Sequence, residues 1–268
     1  MRLIVLLIMI SVSLAACQPE TTRESAAADA GPEPVDTAQA AADETTQPIA
    51  LQTSLAQRSE ADRARDGGRK PAAVMDFLGI TPGMTVVDMF AASGWYTEVL
   101  SHAVGADGKV YAQNTEFLLA MRDGANDKAM AARLTAGRLA NVERLDRPLT
   151  DLGLADESVD AVMFALNFHD LYNNGGAEAA NYLLMEAYKF LKPGGVFGLI
   201  DHVGTAENDN AELHRIEKAK VLEVIALTPF SVDADSTLLS NPADDHAASV
   251  FAPEIRGQTD RFLLRLRK

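Results

Sequence analysis

From Thr85 to Leu266 short apolar runs alternate with amphipathic segments, and this alternation restricts the fold more than any other feature of the chain. Strand-like runs fall at Thr85 to Phe90, Lys109 to Gln113, Val142 to Leu145, Ala161 to Leu166, Val196 to Ile200, around Ser231 to Leu238, and at Arg261 to Leu266. Helical patterns fall at Trp95 to Val104, Ala177 to Leu191 and Glu212 to Leu227, after two lead-in helices, Leu51 to Arg65 and Lys70 to Leu78. Pro71 and Gly79 bracket the second of these. Gly105-Ala106-Asp107-Gly108 and Lys192-Pro193-Gly194-Gly195 supply turns. Short apolar strands separated by helices imply a parallel sheet with both faces covered. The methionines and the stripe Tyr182, Ala187, Leu191 are expected in the core, and Arg265, Arg267 and Lys268 on a solvated strand edge.

The first 50 residues read differently. Arg2 precedes the apolar run Leu3 to Leu14, which is shorter than the roughly 20 residues of a membrane-spanning helix, so residues 1–16 are expected to be an export signal. The run ends Leu14-Ala15-Ala16-Cys17, which resembles the lipobox of bacterial lipoproteins and gives the only cysteine a role as the lipidated residue. Gln18 rather than Asp follows it, as in proteins sorted to the outer membrane, with the inner membrane left open. Up to Ala50 the chain then carries seven acidic residues against Arg23 alone and little to bury, the composition of a disordered, self-repelling tether. Residues 51–268 remain as one domain, on the periplasmic face of the envelope.

Charge and cysteine content exclude several functions. With 24 Lys and Arg against 38 Asp and Glu, a net of −14, the chain lacks the positive field that nucleic-acid binding requires. One cysteine excludes a disulfide framework and any Cys-x-x-Cys site, and five histidines remain for acid-base or metal chemistry.

In a parallel sheet, ligands collect at the carboxyl ends of the strands. The turn after the first strand, Ala91-Ala92-Ser93-Gly94, is small enough for backbone N–H groups to approach a ligand, and Asp88 would face a ligand ammonium. After the fourth strand comes Asn167-Phe168-His169-Asp170. His169 suits a general base, oriented by Asp170 or Asp201, while the alternative is that Asn167 and His169 only close the loop with hydrogen bonds. The pairs Asp201-His202, His214-Arg215 and Asp245-His246 could converge over the same cleft. Their spacing matches no metal motif, and no metal ligands are assigned.

Pro82-Gly83-Met84-Thr85-Val86-Val87-Asp88, Gly108-Lys109-Val110-Tyr111-Ala112, Ser158-Val159-Asp160-Ala161-Val162 and Leu191-Lys192-Pro193-Gly194-Gly195 occur in the order that resembles class I S-adenosylmethionine-dependent methyltransferases. A narrower resemblance, to predicted exported bacterial methyltransferases, rests on Gly94-Trp95-Tyr96-Thr97-Glu98, on Asn167-Phe168-His169-Asp170, and on the tail from Ala243-Asp244-Asp245-His246 to Asp260. The resemblance implies a Rossmann-like three-layer αβα sandwich around a seven-stranded, mostly parallel sheet whose last strand is antiparallel. It implies S-adenosylmethionine held by Asp88, Ala92, Gly94, Asn114 and either Asp146 or Asp151, with His169 and Asp170 facing a small-molecule or envelope acceptor. The family's first two turn glycines fall on Phe90 and Ala92 here, and only Gly94 matches. The other reading of this departure is a non-catalytic module of the same fold that binds another ligand or a partner protein. S-adenosylmethionine is charged and does not cross a bilayer unaided, which favours that alternative for an exported chain.

Cys17→Ser is expected to abolish labelling with radioactive palmitate and to release the protein from the membrane fraction; label retained by the variant would overturn the lipid anchor.

Overall fold

A computed structural model describes residues 50–268; the expected export signal, Cys17 and nearly all of the expected acidic tether lie outside the described residues. A helical segment, α1 (50–55), leads into two single turns, α2 (Glu60–Arg63) and α3 (Asp66–Arg69), and then α4 (Pro71–Leu78). The expected helix over Leu51 to Arg65 is therefore broken. Ser59 caps α2 by accepting from the Asp62 amide, and Arg58 turns back onto Asp66 at 2.6 Å. The core alternation follows: β1 (Thr85–Met89), α5 (Trp95–Val104), β2 (Lys109–Asn114), α6 (Glu116–Leu134), β3 (Val142–Asp146), β4 (Val159–Ala165), α7 (Phe168–Phe190) and β5 (Leu191–His202). Two short helices, α8 (Asn210–Leu213) and α9 (Lys218–Ile225), precede β6 (Ser231–Ser236) and β7 (Arg261–Arg267).

The seven strands form one sheet in the order β3-β2-β1-β4-β5-β7-β6. β1 through β5 pair in parallel, and β7 runs antiparallel to both β5 and β6. Side chains alternate between two apolar layers, as the period of two demands. Val162 and Phe164 of β4 pack with Leu183, Leu184 and Val221 beneath α7 and α9. Ala161 and Met163 of the same strand pack with Met75, Leu78 and Val99 beneath α4 and α5. Close approach there requires Gly198 on β5, where a Cβ would sit 2.6 Å from Leu78 Cδ1. The result is the three-layer αβα sandwich that the resemblance implied.

Several details differ from the sequence reading. α6 was not foreseen: only Met130 of it is buried, and non-helical backbone at residues 121–124 interrupts its period. α7 begins at Phe168 rather than Ala177 and bends at Gly176 (φ 68°). The helix expected over Glu212 to Leu227 is divided because His214 is left-handed (φ 55°) and Arg215 turns into the interior. Tyr182 is 39% exposed rather than core, whereas Ala187 and Leu191 are buried. β7 is not an edge: it lies between β5 and β6, and Asp233 pairs with both Arg265 and Arg267.

Arg215 organises the polar tail. It is fully buried and makes a two-bond pair with Asp244 at 2.9 and 3.0 Å, while donating to the carbonyls of Val203 and Ala248. Asp244 also accepts from the amides of His246 and Asp260, so the tail segment closes on the loop after β5. Removing one member of a buried pair strands the other. Arg215→Ala is expected to lower unfolding free energy by roughly 3–5 kcal/mol in urea titrations, and a loss below about 1 kcal/mol would show that water replaces the pair.

Candidate functional site

The strand order reverses between β1 and β4, and every site residue expected within the domain lies at or just beyond a strand's carboxyl end. After β1 the backbone is left-handed at Phe90 (φ 53°), Ala92 (φ 50°) and Gly94 (φ 80°). These are the three positions where the resembling family carries glycine. Phe90 and Ala92 hold glycine's conformation at a cost of about 1–2 kcal/mol each. The acceptors that compensate are internal: Gln113 accepts from the Phe90 amide through its side chain and from the Ala91 amide through its carbonyl, and Asn114 Oδ1 accepts from the Ala92 amide at 2.8 Å. Asn114 is fully buried and its Nδ2 turns back to the Ala92 carbonyl, so its amide shapes the turn. The turn thus offers its curvature, and the amides of 90, 91 and 92 are already bonded. The Phe90 ring packs edge-on against Phe164 with centroids 5.4 Å apart.

The motif Gly94-Trp95-Tyr96-Thr97-Glu98 anchors this turn from behind. A Cβ on Gly94 would meet Met130 Cε at 2.8 Å. Trp95 donates to the Asp62 carbonyl and lies against the guanidinium groups of Arg58, Arg65 and Arg69. Buried Glu98 pairs with Arg133 and Arg138, and Arg133 bridges to Asp62 at 2.9 Å. Thr97 donates to Asp88 at 2.6 Å. Asp88 is itself buried, and burial pushes its carboxyl up to about 7 despite the opposing hydrogen bonds of Thr97 and the charges of Arg69 and Arg133.

Beyond β2 and β3 opens a cavity of about 450 Å³ lined by Glu116, Leu119, Ala120, Gly124, Asp127 and Asp146. Of the two aspartates open in the sequence, Asp146 lines the cavity and Asp151 points to Arg147 at 3.5 Å. Glu116 and Asp127 were missed because both lie on the unforeseen α6. Their nearest signal was Thr115, whose hydroxyl caps that helix by accepting from the Leu118 amide.

A histidine cluster closes the other side of the reversal point. Leu166 is left-handed (φ 62°) and turns the chain from β4 into α7, whose first turn holds His169 and Asp170. Fully buried Asp201, at the end of β5, accepts from the His169 amide at 2.8 Å, the His202 amide at 2.7 Å and His169 Nδ1 at 2.7 Å. His169 Nε2 faces Asp170 Oδ1 at 3.3 Å, and the same oxygen meets His214 Nδ1 at 2.9 Å. Both ring nitrogens of His169 therefore face carboxylates. Burial opposes the imidazolium, but Asp201 and Asp170 outweigh it and hold His169 up to about 10. Asp201 and Asp170 therefore both hold the ring, one at each nitrogen. Asn167 spends its Nδ2 on the Ala165 carbonyl. His202 bonds Thr259 Oγ1 at 2.7 Å, and burial with the charge on His169 holds it well below the usual histidine range. Of the three later pairs, His214 joins His169, His202 lies beside it with ring centroids 5.8 Å apart, and His246 binds Asp260 instead.

Residues 88–199 match the family described as Methyltransferase domain. Among solved structures, a SAM-dependent methyltransferase from Aquifex aeolicus aligns at 21% identity over 74% of this chain and 88% of its own, with a TM-score of 0.54. The [4+2]-cyclase SpnF aligns at 16% identity over 75% of this chain and 80% of its own, with a TM-score of 0.56. No curated protein matches the sequence. The fold is the Rossmann-like αβα sandwich of class I methyltransferases, and the cyclase shows that this fold also serves other chemistry.

Asp88 generates a pH prediction. Its folded value near 7 lies above the unfolded 3.8, so the folded state gains from holding the proton fully below pH 3.8 and loses that gain as pH rises through 7. Between pH 5 and 8 the wild type is expected to lose a few kcal/mol of stability relative to Asp88→Asn in paired urea titrations, and parallel curves would mean that Asp88 does not titrate in this range.

Proposed function

We propose that this chain is an S-adenosylmethionine-dependent methyltransferase held as a lipoprotein on the periplasmic face of the bacterial envelope. The observation that carries the reading is the turn after β1, where residues 90, 92 and 94 adopt the glycine conformation although two are not glycine. A left-handed, tightly curved backbone at the strand-order reversal is the shape against which the methionine end of the cofactor lies in the resembling family.

The residues present fit the group. The cavity beside β2 and β3 falls within the usual range for small-ligand sites, with Leu119 and Ala120 as an apolar wall, Glu116 as an acceptor for ribose hydroxyls and Asp146 as an acceptor for the adenine amino group. Ala92, Gly94 and Asn114 define the turn, with Asp88 behind it. When bound, S-adenosylmethionine supplies a methyl group activated by its sulfonium. The chain's part is to align an acceptor and exclude water. On the acceptor side stand His169 and Asp170, with His214 completing the group: Asp170 orients the His214 ring through Nδ1, and Asp201 orients the His169 ring through its Nδ1.

The module reading retains one supporting observation, the Phe90 ring packed on Phe164 within the turn. Calorimetric titration of S-adenosylmethionine and its demethylated product into the full-length chain separates the two. Binding on the order of micromolar, weakened about tenfold or more by Glu116→Ala, is expected for the enzyme. Absence of binding to folded wild type, with binding gained by Phe90→Gly plus Ala92→Gly, would favour the module. Protein-dependent transfer of labelled methyl groups to an envelope extract then tests turnover.

A further inference from the structure

His169, Asp170 and His214 each offer one possible ligand atom, and the three atoms lie within 4.8 Å of one another. Two edges of this triangle measure 3.3 Å, from His169 Nε2 to Asp170 Oδ1, and 2.9 Å, from Asp170 Oδ1 to His214 Nδ1. Donors placed about 2.0–2.2 Å from a common ion are separated by about 3.0 Å in octahedral and about 3.4 Å in tetrahedral geometry, so both edges already have a coordination length. The third edge lies within the same 4.8 Å limit.

We propose that these three residues form a binding site for a divalent first-row transition ion. Two imidazoles and one carboxylate suit zinc, manganese, iron or cobalt better than magnesium or calcium.

The surroundings have the features of a built site. Metal-binding histidines usually donate their other ring nitrogen to a carboxylate or carbonyl, which fixes the ring. His169 does this through Nδ1 to Asp201, and Asp201 is itself held by two backbone amides. Asp170 has the two imidazoles as its ion-pair partners among the described residues, with no Lys or Arg occupying its oxygens. His169 is buried while Asp170 and His214 are half-exposed, which leaves the outer positions open to water or to an acceptor atom. Phe251 lies edge-on to His214 at 4.8 Å and limits the ring's motion. Local spacing hides such a set, because the third donor lies 44 residues after the second.

The inference does not depend on methyl transfer and is tested by binding alone. Full-length protein carrying no polyhistidine tag is stripped with a chelator and titrated with Co²⁺, with its visible d–d absorption as the readout. One equivalent is expected to bind with a band that Zn²⁺ displaces and equal Mg²⁺ does not. His214→Gln and Asp170→Asn should each weaken binding at least tenfold, and Asp201→Asn, a positioning change, by about 10–100-fold. His246→Gln, paired elsewhere with Asp260, should leave binding unchanged. If Asp201→Asn does not fold, the half-exposed His214→Gln decides the matter. No saturable band, or a band undiminished in both His214→Gln and Asp170→Asn, would overturn the site; displacement by equal Mg²⁺ would overturn the assignment to a transition ion.

Discussion

A carboxylate taken fully out of water must find donors, and Asp201 finds them in a way that fixes the whole histidine cluster. Its two oxygens take two backbone amides and an imidazole. That demand brings the end of β5 against the start of α7, sets the His169 ring, and through it places Asp170 and His214. Once the sheet delivers Asp201 to this position, the remaining geometry has little freedom.

The turn after β1 obeys a different logic. Left-handed alanine and phenylalanine are unfavourable in isolation, and the conformation persists because surrounding structure determines it. Gln113 and Asn114 hold the amides from the side of β2, while Glu98, Arg133 and Trp95 fasten the following helix to the lead-in segment. The motif around Trp95 is therefore best understood as a fastening behind the site.

The sequence revealed those elements whose burial is periodic or whose ends carry Gly or Pro. The limits of α5 agree to the residue, and the strands flanking it agree within one, because each is an apolar run ended by a turn. α6 escaped because it buries a single residue and is interrupted, and the split between α8 and α9 because it depends on Arg215 finding Asp244 across the fold. For the site, the residue types at the strand ends were legible, but their partners were not. Whether His169 would be free or held between two carboxylates depends on the depth of Asp201 and on a loop residue, His214, neither of which leaves a local pattern.

The lead-in segment has a mechanical consequence. Leu55 is buried, the ring of Trp95 is clasped by three arginines, and Arg261 of β7 reaches the Gly68 carbonyl at 2.6 Å. Tension entering the chain at residue 50 would be borne by contacts to α5 and to an interior strand before it reached the turn after β1. A domain attached at that end can be tugged without that turn being the first part to yield.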